Sequence, residues 1–146
     1  MDKKSKIKIL LIDDDAMNCI YFKDIFWMHD KDNNYDVSVL NTIREAEKLL
    51  EDEENKPNII FLDTLIPEEK EKNDVNSQID RSYNFAKKIK KDKKFSDIRL
   101  VIYSSQRDSR IKKYFSKIKL DGFIFKGDLL PKEIIDFTNK IHGNDN

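Results

Sequence analysis

The chain of 146 residues carries 28 Lys and Arg residues and 28 Asp and Glu residues, so its formal net charge is zero. This length suits one domain with a sizeable core, and the charge balance excludes a general attraction to nucleic acid or to an anionic membrane. The single cysteine, Cys19, excludes an internal disulfide. No apolar run approaches the about 18 residues of a membrane span or the roughly 7 to 15 of a signal-peptide core. We therefore expect a cytoplasmic protein with one domain at residues 1–143 and a short tail at residues 144–146.

Short aliphatic runs alternate with helical patterns along the chain. The runs predict β-strands at residues 6–12, 36–40, 58–62, 100–103 and 122–125. Apolar residues between and after them recur at spacings of three and four, which predicts helices: Met17, Tyr21, Ile25 and Met28; Ile43, Ala46 and Leu50; Tyr83, Ala86 and Ile89; Ile111, Tyr114 and Ile118; Leu130, Ile134, Phe137 and Ile141. The first and third strands are apolar throughout, as is typical of strands buried on both faces of a parallel sheet. The pattern predicts an α/β fold, (βα)₅, with a doubly wound parallel five-stranded sheet.

Polar side chains follow the strands at the sheet edge where doubly wound folds bind ligands. Asp13, Asp14 and Asp15 follow the first strand, Asp63 the third, Ser104 and Ser105 the fourth, and Lys126 the fifth. Carboxylates gathered in one pocket repel one another unless a hard cation such as Mg²⁺ neutralises them and lets one act as a nucleophile. The pattern therefore favours phosphoryl chemistry.

Each of these residues also has a purely structural interpretation. Acids after a strand can cap the next helix, and Asp15 is expected to do so. An aspartate such as Asp63 is often a turn residue, and a lysine such as Lys126 is by default a surface residue. Their joint placement at one sheet edge is what favours a site.

Four segments, in order and each at a strand end, resemble the receiver domains of two-component response regulators. They are LIDDD at residues 11–15, IFLDTLIP at residues 60–67, VIYSS at residues 101–105 and DGFIFK at residues 121–126. The resemblance covers nearly the whole chain. It implies a CheY-like, flavodoxin-like fold with the strand order 2-1-3-4-5.

The resemblance also implies a phosphoacceptor site. Asp63 would accept a phosphoryl group from a kinase phosphohistidine or from a small phosphodonor. Asp14, Asp63 and the backbone carbonyl of Leu65 would hold Mg²⁺, and Asp13 would reach the ion through water. The metal would offset charge on the carboxylate and on the phosphoryl oxygens.

A switch is implied in the same way. Lys126 would pair with a phosphoryl oxygen, Ser104 would donate a hydrogen bond to it, and Phe123 would turn inward as an aromatic gate. A surface of the fourth helix, fifth strand and fifth helix would then recruit a downstream protein or a second copy of the chain. The expected phosphodonor is a histidine kinase or a phosphotransfer protein.

Several positions depart from the receiver pattern. Gly127 follows Lys126 where a proline with a cis bond is usual, and a neighbouring residue such as Asp128 is expected to cap the last helix. Residues 68–78 lengthen the loop after the third strand with charged residues, which predicts a mobile insertion beside the pocket. Trp27 is expected to pack on the sheet. The basic run at residues 87–94 is expected to be a solvated helix face.

Two other functions remain open. Haloacid-dehalogenase-like phosphatases use an aspartate pair two residues apart, as Asp13 and Asp15 are, but Met17 stands where a small residue is usual. A degenerate receiver would bind a partner constitutively without phosphorylation. Because only five residues follow Ile141, we expect a stand-alone receiver that acts through partners and is not an enzyme beyond its own phosphorylation and slow dephosphorylation.

Overall fold

The structure, a computed structural model, describes residues 5–67 and 74–143. In this part of the chain the strands are β1 (Ile7–Ile12), β2 (Tyr35–Leu40), β3 (Ile59–Leu62), β4 (Arg99–Ser104) and β5 (Gly122–Phe125). They form one parallel sheet in the order β2-β1-β3-β4-β5. The predicted fold class and strand order are confirmed.

A helix follows each strand. The helices are α1 (Ala16–His29), α2 (Ile43–Leu49), α3 (Val75–Lys91), α4 (Ser109–Phe115) and α5 (Pro131–Ile141). The first four begin after side chains that accept hydrogen bonds from the first-turn amides, namely Asp15, Thr42, Asp74 and Asp108. The predicted cap at Asp15 is confirmed. None of these helices combines the length and apolar character that crossing a bilayer requires.

Alternate residues of each inner strand face opposite layers of helices. In β1, Leu10 and Ile12 belong to the core shared with α2, α3 and α4, whereas Ile9 and Leu11 belong to the core shared with α1 and α5. The residues Ile9 to Ile12 of β1 and Ile59 to Leu62 of β3 are all at most 1% exposed. Burial on both faces explains why these strands are apolar runs without alternation.

Helix α3 begins earlier than the sequence pattern predicts. Asp74 accepts a hydrogen bond from the Ser77 amide, and the helix runs from Val75 onward. Residues 75–78 are therefore helical, and their assignment to the loop after the third strand is wrong; residues 68–73 lie outside the described residues. Val75 and Ile79 extend the apolar spacing of the helix back to its first turn, but Val75 is 50% exposed and Ile79 is the first buried residue.

Helix α1 buries a different face from the one its spacing suggests. Cys19, Phe22, Ile25 and Phe26 pack toward the sheet. Of the residues in the predicted stripe, Ile25 alone is buried. Trp27 is 84% exposed, so the prediction that it packs on the sheet is wrong. Both faces of this helix are apolar, and periodicity alone does not say which one meets the sheet.

Candidate functional site

Three aspartates meet where β1 and β3 end. These strands are hydrogen-bonded neighbours, and the pairing continues one residue further, where the Asp63 amide donates to the Ile12 carbonyl at 3.0 Å. Asp13, Asp14 and Asp63 each offer a carboxylate oxygen within 4.8 Å of the others. Asp13 and Asp63 are buried, and Asp14 is exposed. The cluster is therefore buried on the side of Asp13 and Asp63 and open to solvent at Asp14.

Lys126 joins this cluster from β5. Its amide donates to the Ser104 carbonyl at 2.8 Å, which fixes the end of β5 beside β4. Its ammonium lies 2.6 Å from Asp13 Oδ2 and 3.2 Å from Asp63 Oδ2, and its side chain is 9% exposed. The long lysine side chain crosses the end of β4 to reach both acids. One ammonium thus contacts two of the three carboxylates in the cluster.

The charge imbalance shifts the acidity of the cluster. Burial, opposed by Lys126 and reinforced by the charge of Asp13, raises the pKa of Asp63 to about 6. Burial and the charge of Asp13 also raise the pKa of Asp14. Burial lowers the pKa of Lys126, but the neighbouring Asp63 and Asp13 outweigh it and raise that pKa. A hard divalent cation would relieve the excess negative charge.

The charge of Asp63 is expected to destabilise the metal-free fold. Because the pKa of Asp63 rises from 3.8 to about 6 on folding, the folded chain binds more protons between those values, and its stability falls as pH rises through them. Asp63→Asn should raise the free energy of unfolding near pH 7 by about 1 to 3 kcal/mol, and the difference from wild type should shrink toward about pH 4. Urea denaturation in the presence of EDTA measures this, with the exposed Asp36→Asn in β2 as control. A less stable Asp63→Asn would show that attraction to Lys126 outweighs the burial and repulsion.

Leu65 lies in the loop directly after β3. Its amide faces Asp63 Oδ1 at 3.4 Å, so one oxygen of the phosphoacceptor candidate is oriented by backbone and the other by Lys126. The following residue, Ile66, is fully buried and anchors the loop in the core beside α3. The predicted metal ligand therefore sits next to the acidic cluster.

Ser104 ends β4 and is fully buried. Its hydroxyl lies 2.7 Å from the hydroxyl of Thr64 and accepts a hydrogen bond from the Gln106 amide at 3.0 Å. Sequence reasoning missed Thr64. The sequence carried no signal for it, because the contact depends on the register of β3 against β4: Leu62 pairs with Ile102, and the same register carried two residues further sets Thr64 opposite Ser104.

Phe123 lies in β5, three residues before Lys126. It is half-buried and packs against the core on the side of α4. Its ring centroid is 5.3 Å from that of Phe125, and the ammonium of Lys112 lies 5.7 Å from its ring. The ring therefore contacts the α4 side of the sheet and is only partly sheltered from solvent.

The loop after Lys126 is held by an arginine. Gly127 has a φ of +90°, which an L side chain rarely adopts, and the described part of the chain contains no cis peptide bond. Arg107, in the loop before α4, pairs with Asp128 and donates to the Lys126 carbonyl at 3.5 Å. Asp128 therefore does not cap α5. The α5 N-terminus is instead closed by Glu133, which accepts from the Leu130 amide.

No family model matches the chain, and no curated protein matches it. Solved structures do. The chain is 16% identical to a response regulator from Thermotoga maritima, with a TM-score of 0.72 over 95% of this chain and 99% of that one. It is 18% identical to the signal receiver domain of a signal transduction histidine kinase from Syntrophus aciditrophicus, with a TM-score of 0.71 over 94% and 90%. It is 17% identical to the phosphorylated cyanobacterial phytochrome response regulator RcpA, with a TM-score of 0.68 over 97% and 92%. The chain therefore has the fold of response regulator receiver domains.

Proposed function

We propose that this chain is a receiver module of phosphorelay signalling, which accepts a phosphoryl group on Asp63 with Mg²⁺ and thereby switches a protein-interaction surface. One observation carries the proposal: Asp13, Asp14, Asp63 and Lys126 meet at the carboxyl edge of a sheet with the receiver fold. An acidic cluster beside a buried ammonium is the arrangement that phosphoryl transfer to a carboxylate requires.

The cluster fits a magnesium ion. Its three carboxylate oxygens lie close together, and one lysine leaves part of their charge uncompensated. Asp14, Asp63 and the backbone carbonyl of Leu65 are the proposed ligands, with Asp13 in contact through water. When bound, Mg²⁺ would offset negative charge on the carboxylates and on the incoming phosphoryl oxygens.

Asp63 is the proposed nucleophile. An oxygen of its carboxylate bonds to phosphorus while the bond from phosphorus to the nitrogen of a phosphohistidine breaks, and that nitrogen keeps the electron pair. Lys126 lies 3.2 Å from Asp63, so its ammonium can turn to a phosphoryl oxygen without leaving the pocket. The Ser104 hydroxyl then donates a hydrogen bond to a second phosphoryl oxygen.

The phosphatase alternative lacks its second aspartate in the cluster. Asp15 accepts hydrogen bonds from the Met17 amide and the Asn18 side chain at the start of α1, which is the role of a helix cap. The proposed donors are a histidine kinase or a phosphotransfer protein. The proposed output is a downstream protein, or a second copy, that binds the surface of α4, β5 and α5.

The proposal predicts labelling that depends on a divalent cation. After incubation with phosphoramidate and Mg²⁺, intact-mass spectrometry should show one added phosphoryl group, and EDTA should abolish it because the excess carboxylate charge then repels the phosphodonor. Circular dichroism in EDTA controls for loss of the fold. A chain that stays unlabelled with Mg²⁺ and retains its fold would indicate a degenerate receiver that binds its partner constitutively.

A further inference from the structure

Two hydroxyl groups lie against each other in the core beside the phosphoacceptor candidate. Thr64 Oγ1 and Ser104 Oγ are 2.7 Å apart, and both residues are 0% exposed. Water does not reach either group, so each depends on protein atoms for a hydrogen bond. Thr64 directly follows Asp63 in the chain.

Ser104 is held in place by two neighbours. Its oxygen lies within hydrogen-bond distance of Thr64 Oγ1 and accepts from the Gln106 amide. The carboxylate of Asp63 is meanwhile bonded to the Leu65 amide and to Lys126. In the unphosphorylated chain the Ser104 hydroxyl is therefore hydrogen-bonded to Thr64 and Gln106 and not to Asp63.

A serine hydroxyl has one proton to donate. If Ser104 donates it to Thr64 at rest, that bond must break before the proton can turn to a phosphoryl oxygen. If Thr64 is the donor, its own buried proton loses its acceptor when Ser104 moves. Both assignments favour the resting position of Ser104, because a buried hydroxyl without a partner is costly.

We propose that Thr64 is a positioning residue that holds Ser104 in its resting place and so sets the threshold of the phosphorylation switch. This inference rests on the proposed function. A phosphoryl group on Asp63 has to compete with Thr64 for the Ser104 hydroxyl. Movement of Ser104 also breaks its hydrogen bond with the Gln106 amide, which lies three residues before α4. The competition between Thr64 and the phosphoryl group therefore also affects the loop that leads into that helix.

Thr64→Val tests the inference, because valine keeps the shape of threonine and removes its hydroxyl. Without that hydroxyl, Ser104 is free to donate, and the variant should bind beryllofluoride in the presence of Mg²⁺ about threefold to tenfold more tightly than wild type. The affinity is measured by an NMR titration with beryllofluoride. If this variant does not fold, Thr64→Ala replaces it in the same comparison.

A matched control separates positioning from packing. Thr138 in α5 is equally buried, but its hydroxyl donates to the Ile134 carbonyl of its own helix. Thr138→Val should leave beryllofluoride affinity unchanged even if it lowers the melting temperature. An affinity of Thr64→Val equal to or weaker than wild type would overturn the inference.

A second measurement does not depend on phosphoryl chemistry. Without beryllofluoride, the Gln106 amide should exchange its hydrogen about threefold to tenfold faster in Thr64→Val, because its acceptor Ser104 Oγ is no longer fixed. Unchanged Gln106 exchange would show that Thr64 does not position Ser104, which overturns the inference. If wild type itself binds no beryllofluoride, it is the proposed function that fails, and the switch threshold fails with it.

Discussion

Asp63→Asn should abolish phosphoryl labelling of the chain by phosphoramidate while leaving its fold intact. Asparagine keeps the shape of the side chain but lacks the carboxylate that attacks phosphorus, and it removes a proposed ligand of Mg²⁺. The Lys126 ammonium should keep its contact with Asp13, which is 2.6 Å in the wild-type chain, so the variant leaves no buried charge without a partner. Intact-mass spectrometry gives the labelling, and circular dichroism gives the fold.

Two neighbouring aspartates make the comparison specific. Asp15→Asn should label as wild type does, because Asp15 caps α1 and asparagine caps a helix equally well. Asp13→Asn should only weaken labelling, since Asp13 is proposed to reach the metal through water. Persistent labelling of Asp63→Asn would contradict the assignment of the nucleophile. Loss of labelling confined to Asp13 variants would instead favour the phosphatase alternative.

Beryllofluoride with Mg²⁺ should change amide exchange across residues 110–126 and α5. Ser104 ends β4, which leads into α4, and Lys126 directly follows β5; both are expected to move toward a phosphoryl-like group on Asp63. Phe123 is half-buried on the α4 side and is expected to pack further inward once Ser104 leaves its place. The two states need differ by only a few kcal/mol for ligand binding to shift their populations.

The location of the change decides between two mechanisms. Hydrogen exchange with mass spectrometry compares the chain with and without beryllofluoride, and Asp63→Asn serves as the control that should not respond. If amide exchange changes in residues 68–78 and stays the same in residues 110–126 and α5, the α4-to-α5 switch is ruled out. That result would point instead to a segment that gates access of the phosphodonor.

The sequence by itself determined the fold class and the composition of the pocket. Strands buried on both faces must be apolar at every position, so β1 and β3 stand out as uninterrupted runs. Asp13 and Asp63 follow these two runs directly, so the first polar residue marks the end of each strand. Because parallel strands share one carboxyl edge, these local signals were sufficient to predict that the two acids meet.

Only the tertiary structure decided which side chains are buried and which side chains contact one another. Helix α1 is apolar on two faces, and its position against the sheet determined that Phe22 is buried while Trp27 is exposed. The contact of Thr64 with Ser104 depends on the register of β3 against β4, and the contact of Lys126 with Asp13 depends on a side chain that spans the end of a strand. Such contacts join residues 40 and 113 positions apart, and no local periodicity encodes them.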